Sequence, residues 1–341
     1  MGKINKFLYI IVFLFILAAG VTAGSIVFYA FDNKKPSPFP VLIEELSLEK
    51  RKAFLEDLMT REGIDSVWRF FKSHQIPAVG YDSYTSGELL YKHYGLKGVE
   101  MCDPAFIKGC SSGVIKALMV KFGLDAIKQL PNRCFNKEGH ITYCAHGIGH
   151  GLADVTDFDV PKALAYCDLI VDEYRLRPEC WGGVVQESAI FAAVKVFNKK
   201  DGNLWRPCDE LSVKYRGVCA FVLADLVWFG RDKLDISKII EKCVSVDDEM
   251  LRKGCLLGSG YRIAKLSIGS SSYIQNQCNL FPKNIWHYCI MSAAGALPVL
   301  SYKNWPDNAK KLCELLPKEY SEECQQSASY KSLWYLPAGR L

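Results

Sequence analysis

The sequence predicts an all-α protein in which about seven disulfide-braced helical hairpins form an α-solenoid behind an N-terminal transmembrane helix. Three observations lead to this prediction. Apolar residues recur at intervals of three and four, as on one face of a helix, and the alternation typical of a strand is rare. Fourteen cysteines fall into pairs from Cys102 onward, and an uncharged run of 25 residues lies near the N-terminus.

The uncharged run is Phe7–Phe31, which is long enough to cross a bilayer because the apolar core of a bilayer needs about 20 residues of helix. The apolar core of a signal peptide usually stops at roughly 7–15 residues, so an uncleaved anchor is favoured over a cleaved signal, which stays the alternative. We expect residues 1–31 to form a single-pass membrane anchor. The rest of the chain then lies on the extracytoplasmic side, in a periplasm or at the cell surface, where cysteines pair.

Three segments follow the anchor. Residues 32–40 contain three prolines and predict a short, stiff spacer. Residues 41–101 predict N-terminal helices, with one amphipathic helix over Val41–Glu62 and a second over Ile64–Ser73. A cysteine-paired α/α repeat domain is predicted over residues 102–341.

The cysteines of this domain divide into seven pairs. They are Cys102/Cys110, Cys134/Cys144, Cys167/Cys180, Cys208/Cys219, Cys243/Cys255, Cys278/Cys289 and Cys313/Cys324. Successive first cysteines lie 32 to 41 residues apart, and a period in the mid-thirties is typical of helix–turn–helix repeats. Each unit is predicted to be a first helix that ends just after its cysteine and a second helix that carries its cysteine early, so that the two cysteines of a pair meet. Unpaired cytosolic cysteines and zinc ligands are the alternatives, but the tight spacing of structural zinc sites does not occur.

The period and the cysteine placement over residues 102–324 resemble those of the disulfide-bridged, tetratricopeptide-like helical hairpin proteins of bacteria. This resemblance implies a binding scaffold. The chain departs from that group in lacking its Leu-Gly-x-x-Tyr landmarks, and only Cys102/Cys110 shows its shorter cysteine gap.

Two columns emerge when the second helices are aligned on their cysteines. The residues three positions further on are small in six of seven units: Gly113, Gly147, Gly183, Val222, Gly258, Ser292 and Ser327. Glycine inside a helix costs about 1 kcal/mol relative to alanine, so its recurrence predicts close helix–helix approach. Six positions after the cysteine the residue is mostly polar, and in a solenoid such a column follows one surface. We therefore predict groove-lining roles for Lys116, Gln186, Asp225 and Tyr261, with a partner for Asp225 because it interrupts an apolar run.

The histidines of the segment Cys144–Gly151 are the strongest candidates for a site. His146 and His150 share one helix face, Asp154 continues that face, and Glu187 lies at the matching height of the next unit. Two imidazoles with a nearby carboxylate can bind a divalent metal, zinc or iron. One hypothesis is therefore a metal-dependent enzyme, with Asp154, Glu187 or Asp225 as carboxylate ligand or general base. The other is that both histidines make local hydrogen bonds or contact a ligand.

The composition excludes several classes of protein. A formal charge of +5 is too balanced for an electrostatic nucleic-acid binder, and no basic run with interleaved aromatics occurs. Nucleophile-elbow, phosphate-loop, dinucleotide and haem motifs are also missing. The sequence favours a membrane-anchored scaffold that binds a protein or peptide partner, or serves as a subunit of a membrane complex. The metal-dependent enzyme is the alternative, so catalytic activity is left open.

Overall fold

The computed structural model describes residues 47–74, 79–103, 105–130, 140–171, 176–192, 196, 203–231, 235–300 and 304–329. All regular secondary structure within these ranges is helical, as the sequence predicted. The predicted anchor Phe7–Phe31 and the predicted spacer 32–40 lie outside them. Within the same ranges, no helix combines the length and apolar character needed to span a bilayer.

Fourteen α-helices lie in the described part of the chain. In chain order they are α1 (Leu48–Glu62), α2 (Ile64–His74), α3 (Val79–Tyr94), α4 (Ile107–Phe122), α5 (His140–Val155), α6 (Val160–Ile170), α7 (Arg177–Phe191), α8 (Val213–Val222), α9 (Ile236–Val244), α10 (Glu249–Ser267), α11 (Ser271–Cys278), α12 (Trp286–Val299), α13 (Trp305–Glu314) and α14 (Lys318–Ser329). A π-helical segment, Leu223–Arg231, continues α8 without a break.

Side-chain caps explain where several of these helices begin. Asp159, Asp235 and Asp248 each precede a helix, and each side chain accepts a hydrogen bond from the backbone N–H three residues later, at 2.9 to 3.2 Å. Such a cap satisfies one of the backbone donors that the first turn of a helix leaves without an intrahelical partner. A local capping residue therefore fixes the N-terminus of two first helices, α6 and α9, and of one second helix, α10.

Some units have a 3₁₀ helix as their first element. The segment before Cys102 is a 3₁₀ helix, Gly95–Met101, and Cys208 opens another, Cys208–Glu210. In these units the predicted first helix is of the 3₁₀ rather than the α type. The first of the two segments contains Gly95 and Gly98, which are poor helix formers, and Pro207 interrupts backbone hydrogen bonding just before the second.

The disulfide pairing is confirmed for six of the seven predicted pairs. Bridges join Cys102–Cys110, Cys167–Cys180, Cys208–Cys219, Cys243–Cys255, Cys278–Cys289 and Cys313–Cys324, with Cα–Cα distances of 5.4 to 5.8 Å. Cys144 is also disulfide-bonded, and its predicted partner Cys134 lies outside the described ranges. Free cysteines are not found in the described part of the chain.

The second helices of the hairpins pack side by side in a continuous row, which we call the central row. It runs α3, α4, α5, α7, α8, α10, α12, α14, and each helix contacts the next. The first helices α6, α9, α11 and α13 each pack on the second helix of their own hairpin. Helix α3 carries no cysteine, yet it opens the central row, so the repeat-like packing begins before residue 102. All of these helices belong to one compact unit, Lys52–Leu341; of the other unit, Met1–Arg51, residues 47–51 are described.

Neighbouring helices of the central row approach each other through their glycines. A Cβ atom on Gly113 would lie 1.9 Å from the Tyr84 carbonyl oxygen, and one on Gly149 would lie 2.0 Å from that of Cys180. A Cβ on Gly183 would lie 2.1 Å from the carbonyl oxygen of His146. The small-residue column therefore has the packing role that the sequence predicted. This close contact brings side chains of α3, α4, α5 and α7 together.

Candidate functional site

A cluster of charged and hydrogen-bonding side chains lies where these four helices meet. Helix α5 supplies His146 and His150, one turn apart, and α7 supplies Gln186 and Glu187. Lys116 comes from α4, and Tyr84 and Glu88 come from α3. We call this set, with Asp154 of α5, the histidine cluster. It contains all four predicted metal-site residues and two of the four predicted groove residues.

Glu187 is the anion at the centre of the histidine cluster, and its side chain is fully buried. Its Oε2 atom accepts a hydrogen bond from the Tyr84 hydroxyl at 2.9 Å and one from His150 Nδ1 at 2.7 Å. Its Oε1 atom lies 3.5 Å from Lys116 Nζ and accepts no hydrogen bond in the described part of the chain. Three helices therefore converge on one buried carboxyl group.

This carboxyl group is ionised, because the groups around it outweigh its burial. Burial by itself raises the pKa of Glu187, but the hydrogen bond and charge of His150, the charge of Lys116 and the Tyr84 hydroxyl together lower it. Burial and the charges of Glu187 and Glu88 hold the pKa of Tyr84 well above its usual value, so this hydroxyl keeps its proton. An ionised Glu187 only accepts hydrogen bonds, which means that His150 must donate from Nδ1. When His150 is neutral, its Nε2 atom carries the lone pair.

Lys116 supplies the cation of the histidine cluster. Its Nζ atom lies 2.7 Å from Glu88 Oε1, 3.3 Å from Asp154 Oδ2 and 3.5 Å from Glu187 Oε1. Burial lowers the pKa of Lys116, but the negative charges of Glu187, Glu88 and Asp154 more than offset this, so its pKa is raised. The ammonium group thus lies among three carboxylates and balances part of their charge.

His146 occupies a different environment from His150, although their rings lie 4.8 Å apart. His146 Nδ1 is 3.0 Å from the carbonyl oxygen of Glu179, and Nε2 is 2.9 Å from Gln186 Oε1. Burial and, less strongly, the charges of Lys108 and His150 hold its pKa well below the usual value, so the ring is neutral. A neutral ring that donates from Nδ1 accepts at Nε2, which requires Gln186 to turn its NH₂ group towards it.

The metal-site prediction finds no support in this geometry. Both nitrogens of His146 are engaged by protein groups, and Asp154 pairs with Lys116. Within the described ranges, no group of three or more His, Cys, Asp or Glu side chains is arranged to hold a metal ion. His146, His150, Asp154 and Glu187 therefore belong to one cluster without forming a common coordination centre.

Three residues of this region were not predicted. Glu179 is fully buried; its Oε2 atom lies 3.3 Å from Lys108 Nζ and 3.7 Å from His146 Nδ1. Tyr84 and Glu88 lie on α3, before the first cysteine. Gly87 follows Tyr84 by three positions, as Gly113 follows Cys110, so the spacing of the small-residue column contained the signal for α3. Nothing in the local sequence distinguishes Glu179.

The other two predicted groove residues, Asp225 and Tyr261, lie in a second cluster. Asp225 belongs to the π-helical segment, its side chain is 1% exposed, and its Oδ2 atom is 2.7 Å from Lys265 Nζ. The Lys265 ammonium lies 4.5 Å from the centroid of the Tyr261 ring. The expected partner of Asp225 is therefore Lys265, and both predicted groove residues are buried.

No family model, no curated protein and no solved structure matches the chain. The geometry of the site is therefore the basis on which its function is inferred.

Proposed function

We propose that this chain is a membrane-anchored extracytoplasmic protein whose disulfide-braced hairpins form an α-solenoid that binds a protein or peptide partner along the central row. Paired cysteines support the extracytoplasmic side, since disulfides persist in oxidising compartments. The uncharged run Phe7–Phe31 supports the anchor. The repeat-like packing supports the scaffold, because stacked hairpins offer extended binding surfaces.

The observation that carries the binding proposal is the buried histidine cluster. Burying charged groups costs several kcal/mol for each ion, and apolar side chains of similar size often stabilise a core as well or better. The disulfides already brace the hairpins of this domain. A role in recognition explains why the chain buries these charged groups at a cost in folding free energy, although the disulfides already stabilise the domain.

Site-specific photocrosslinking in cells tests this proposal. A benzoylphenylalanine replaces Phe191, which is exposed at the end of α7 with its ring centroid 5.5 Å from Lys116 Nζ. The matched control position is Leu169 on α6, which is more exposed. We expect a crosslinked protein of defined mass at position 191, its loss in His150→Gln, and no such product at position 169. Identical products at both positions, or none at position 191, would refute binding along the central row.

Membrane extraction tests the anchor separately. The full chain is expected to stay with the membrane pellet at alkaline pH and to enter solution with detergent, because an apolar helix of this length stays in lipid. A variant that lacks residues 1–31 is expected in the soluble fraction. Release of the full chain by alkaline extraction alone would contradict the anchor.

A metal-dependent enzyme is the second candidate, and one observation favours it. Glu187 fixes the Nδ1 proton of His150 and leaves Nε2 as the basic atom, an arrangement common at metal-ligating histidines. Elemental analysis of the full chain tests it, with His146→Ala/His150→Ala as the control. One equivalent of zinc or iron that disappears in the double variant would support the enzyme, whereas wild-type protein without stoichiometric metal would refute it.

A further inference from the structure

The last turns of α3 and α4 expose large apolar side chains to solvent. Tyr94 ends α3 and is 48% exposed, and Val120 and Phe122 in the last turn of α4 are 52% and 41% exposed. Leu124 follows α4 and is 37% exposed. Single apolar side chains are common on protein surfaces, whereas a group of them in one place marks a site of interaction.

These side chains lie together because α3 and α4 are neighbours that run in parallel. Lys116 Nζ is 2.7 Å from Glu88 Oε1, and further along both helices Lys121 Nζ is 6.0 Å from the centroid of the Tyr91 ring. The Lys121 ammonium also lies 5.1 Å from the centroid of the Phe122 ring. The two helices therefore end side by side. We call this end the apolar edge, which consists of Tyr94, Val120, Phe122 and Leu124.

Two lysines beside the apolar edge have no carboxylate partner in the part of the chain that the structure describes. Lys121 belongs to the last turn of α4, and Lys97 lies on the 3₁₀ helix that follows α3; both residues are exposed. The exposed carboxylate of Asp125 pairs with Lys128 at 2.7 Å, so these two residues add no net charge. The apolar edge is therefore flanked by positive charge.

The charge reverses at α5, the next helix of the central row. Its last turn and the residues after it carry three aspartates, Asp154, Asp157 and Asp159. An anionic surface attracts lysines and repels carboxylates within about 10 Å at 0.1 M salt. A broad anionic surface therefore fits the ends of α3 and α4 better than the end of α5.

We propose that the apolar edge lies in the headgroup region of a bilayer, where Lys97 and Lys121 contact the phosphates of anionic lipid. Aromatic and aliphatic side chains flanked by lysines are typical of membrane interfaces, because the rings and lysine stems lie in apolar surroundings while the ammonium groups reach the headgroups. The contact rests on the membrane anchor of the proposed function, which keeps the domain near lipid.

The length of the connecting segment allows this contact. Residues 32–47, sixteen in all, separate the predicted anchor from α1, and a chain of that length spans at most about 60 Å. Near the start of α1, Lys52 Nζ lies 3.1 Å from Glu88 Oε2 of α3. The segment therefore joins the domain beside α3, and Tyr94 lies only about 9 Å further along that helix.

Photocrosslinking to lipid in reconstituted vesicles tests this proposal. The purified full chain carries benzoylphenylalanine in place of Phe122, in vesicles of phosphatidylcholine and anionic phosphatidylglycerol, and mass spectrometry detects lipid adducts after illumination. The control position is Leu169, which is 75% exposed and precedes the second helix of its hairpin rather than ending one. We expect a lipid adduct at position 122 at a yield several-fold above that at position 169.

The role of the lysines is tested with the same probe. The yield at position 122 is expected to fall several-fold in vesicles of phosphatidylcholine alone and in Lys121→Gln, because both changes remove the attraction between ammonium and anionic lipid. Lys253→Gln, which removes a partly exposed lysine of α10 paired with Glu249, is expected to leave the yield unchanged. Tyr94 provides a second probe position if the variant at position 122 fails to fold.

Equal adduct yields at positions 122 and 169, a crosslink between two copies of the chain in place of a lipid adduct, or an unchanged yield without anionic lipid would overturn the proposal. Alkaline extraction of the same vesicles separates this contact from the anchor. Release of the chain would refute the anchor and the contact with it, whereas retained chain without a lipid adduct at position 122 would overturn the contact alone.

Discussion

Glu187 shows how a fully buried carboxyl group stays ionised in this protein. The Tyr84 hydroxyl and the His150 ring donate hydrogen bonds to one of its oxygens, and the Lys116 ammonium group lies near the other. These contacts lower its pKa although burial opposes them. The consequence is a fixed tautomer of His150 and a protonated Tyr84. A single residue thus sets which nitrogen of His150 donates and keeps the proton on Tyr84.

The free energy of unfolding is expected to fall by about 3 kcal/mol in Glu187→Gln, because breaking a buried ion pair leaves Lys116 and His150 without their shared anion. Urea denaturation at pH 7 measures this change. The control is Glu314→Gln, which removes an exposed carboxylate 3.9 Å from Lys310 and is expected to change stability by less than about 0.5 kcal/mol. Equal effects of both variants would contradict the central role of Glu187.

Because His146 is buried, we expect the protein to lose stability as the pH falls below 6.5, the usual pKa of a histidine side chain. Its pKa is lowered in the folded protein, so the unfolded chain binds a proton that the folded chain does not, and acid favours unfolding. One such proton contributes a slope of up to about 1.4 kcal/mol per pH unit. Unfolding free energies measured between pH 5 and 7.5 are expected to depend less on pH in His146→Gln. An unchanged slope in this variant would contradict a neutral His146.

At the scale of the helix, small residues decide which elements touch. The cysteine-aligned column of glycine and serine was visible in the sequence, and it marks the contacts along the central row. A serine in this column, Ser292, donates a hydrogen bond at 2.6 Å to the Leu257 carbonyl oxygen of the neighbouring helix. An alignment on the cysteines misses that α3 joins this row, because α3 has Tyr84 where the later helices have a cysteine.

Two glycines of the central row, Gly149 on α5 and Gly295 on α12, provide a matched test of this packing. A Cβ on Gly149 would meet the backbone of Cys180 at 2.0 Å, whereas one on Gly295 would meet the Ser327 hydroxyl oxygen at 2.6 Å. Both alanine variants gain about 1 kcal/mol of helix propensity. We expect Gly149→Ala to lose several kcal/mol of stability because the backbone cannot move aside, and Gly295→Ala to lose less because the Ser327 hydroxyl can rotate away. Thermal unfolding of the two variants measures the difference, and equal losses would contradict the assigned contacts.

At the scale of the whole molecule, disulfides close the hairpins and the central row joins them. Each bridge in the described part of the chain spans 8 to 13 residues, and in the chain-entropy model a loop of about this length contributes roughly 3 kcal/mol. The bridges act within hairpins, so contact between hairpins depends on packing along the row.

The complete chain is expected to contain no reactive thiol until it is reduced. Denatured, unreduced protein should give no reaction with a thiol reagent, and the same protein after reduction should give a signal for all fourteen cysteines. Protein handled with a thiol-blocking agent from the moment of lysis controls for oxidation during purification. Several free thiols in the blocked, unreduced sample would contradict both the bridges and an extracytoplasmic location.

The sequence by itself determined the helical class, six bridges, the small-residue column and the proximity of His146, His150 and Glu187, because these follow from local periodicity and from spacing within a repeat. Only the tertiary structure decided which charged and hydrogen-bonding partners those side chains have. Lys116 lies as a cation among three carboxylates, the Tyr84 ring of α3 contacts the His150 ring, and Glu179 of α7 lies near His146. Periodicity is a property of one segment, whereas charge pairing depends on how several segments meet in space.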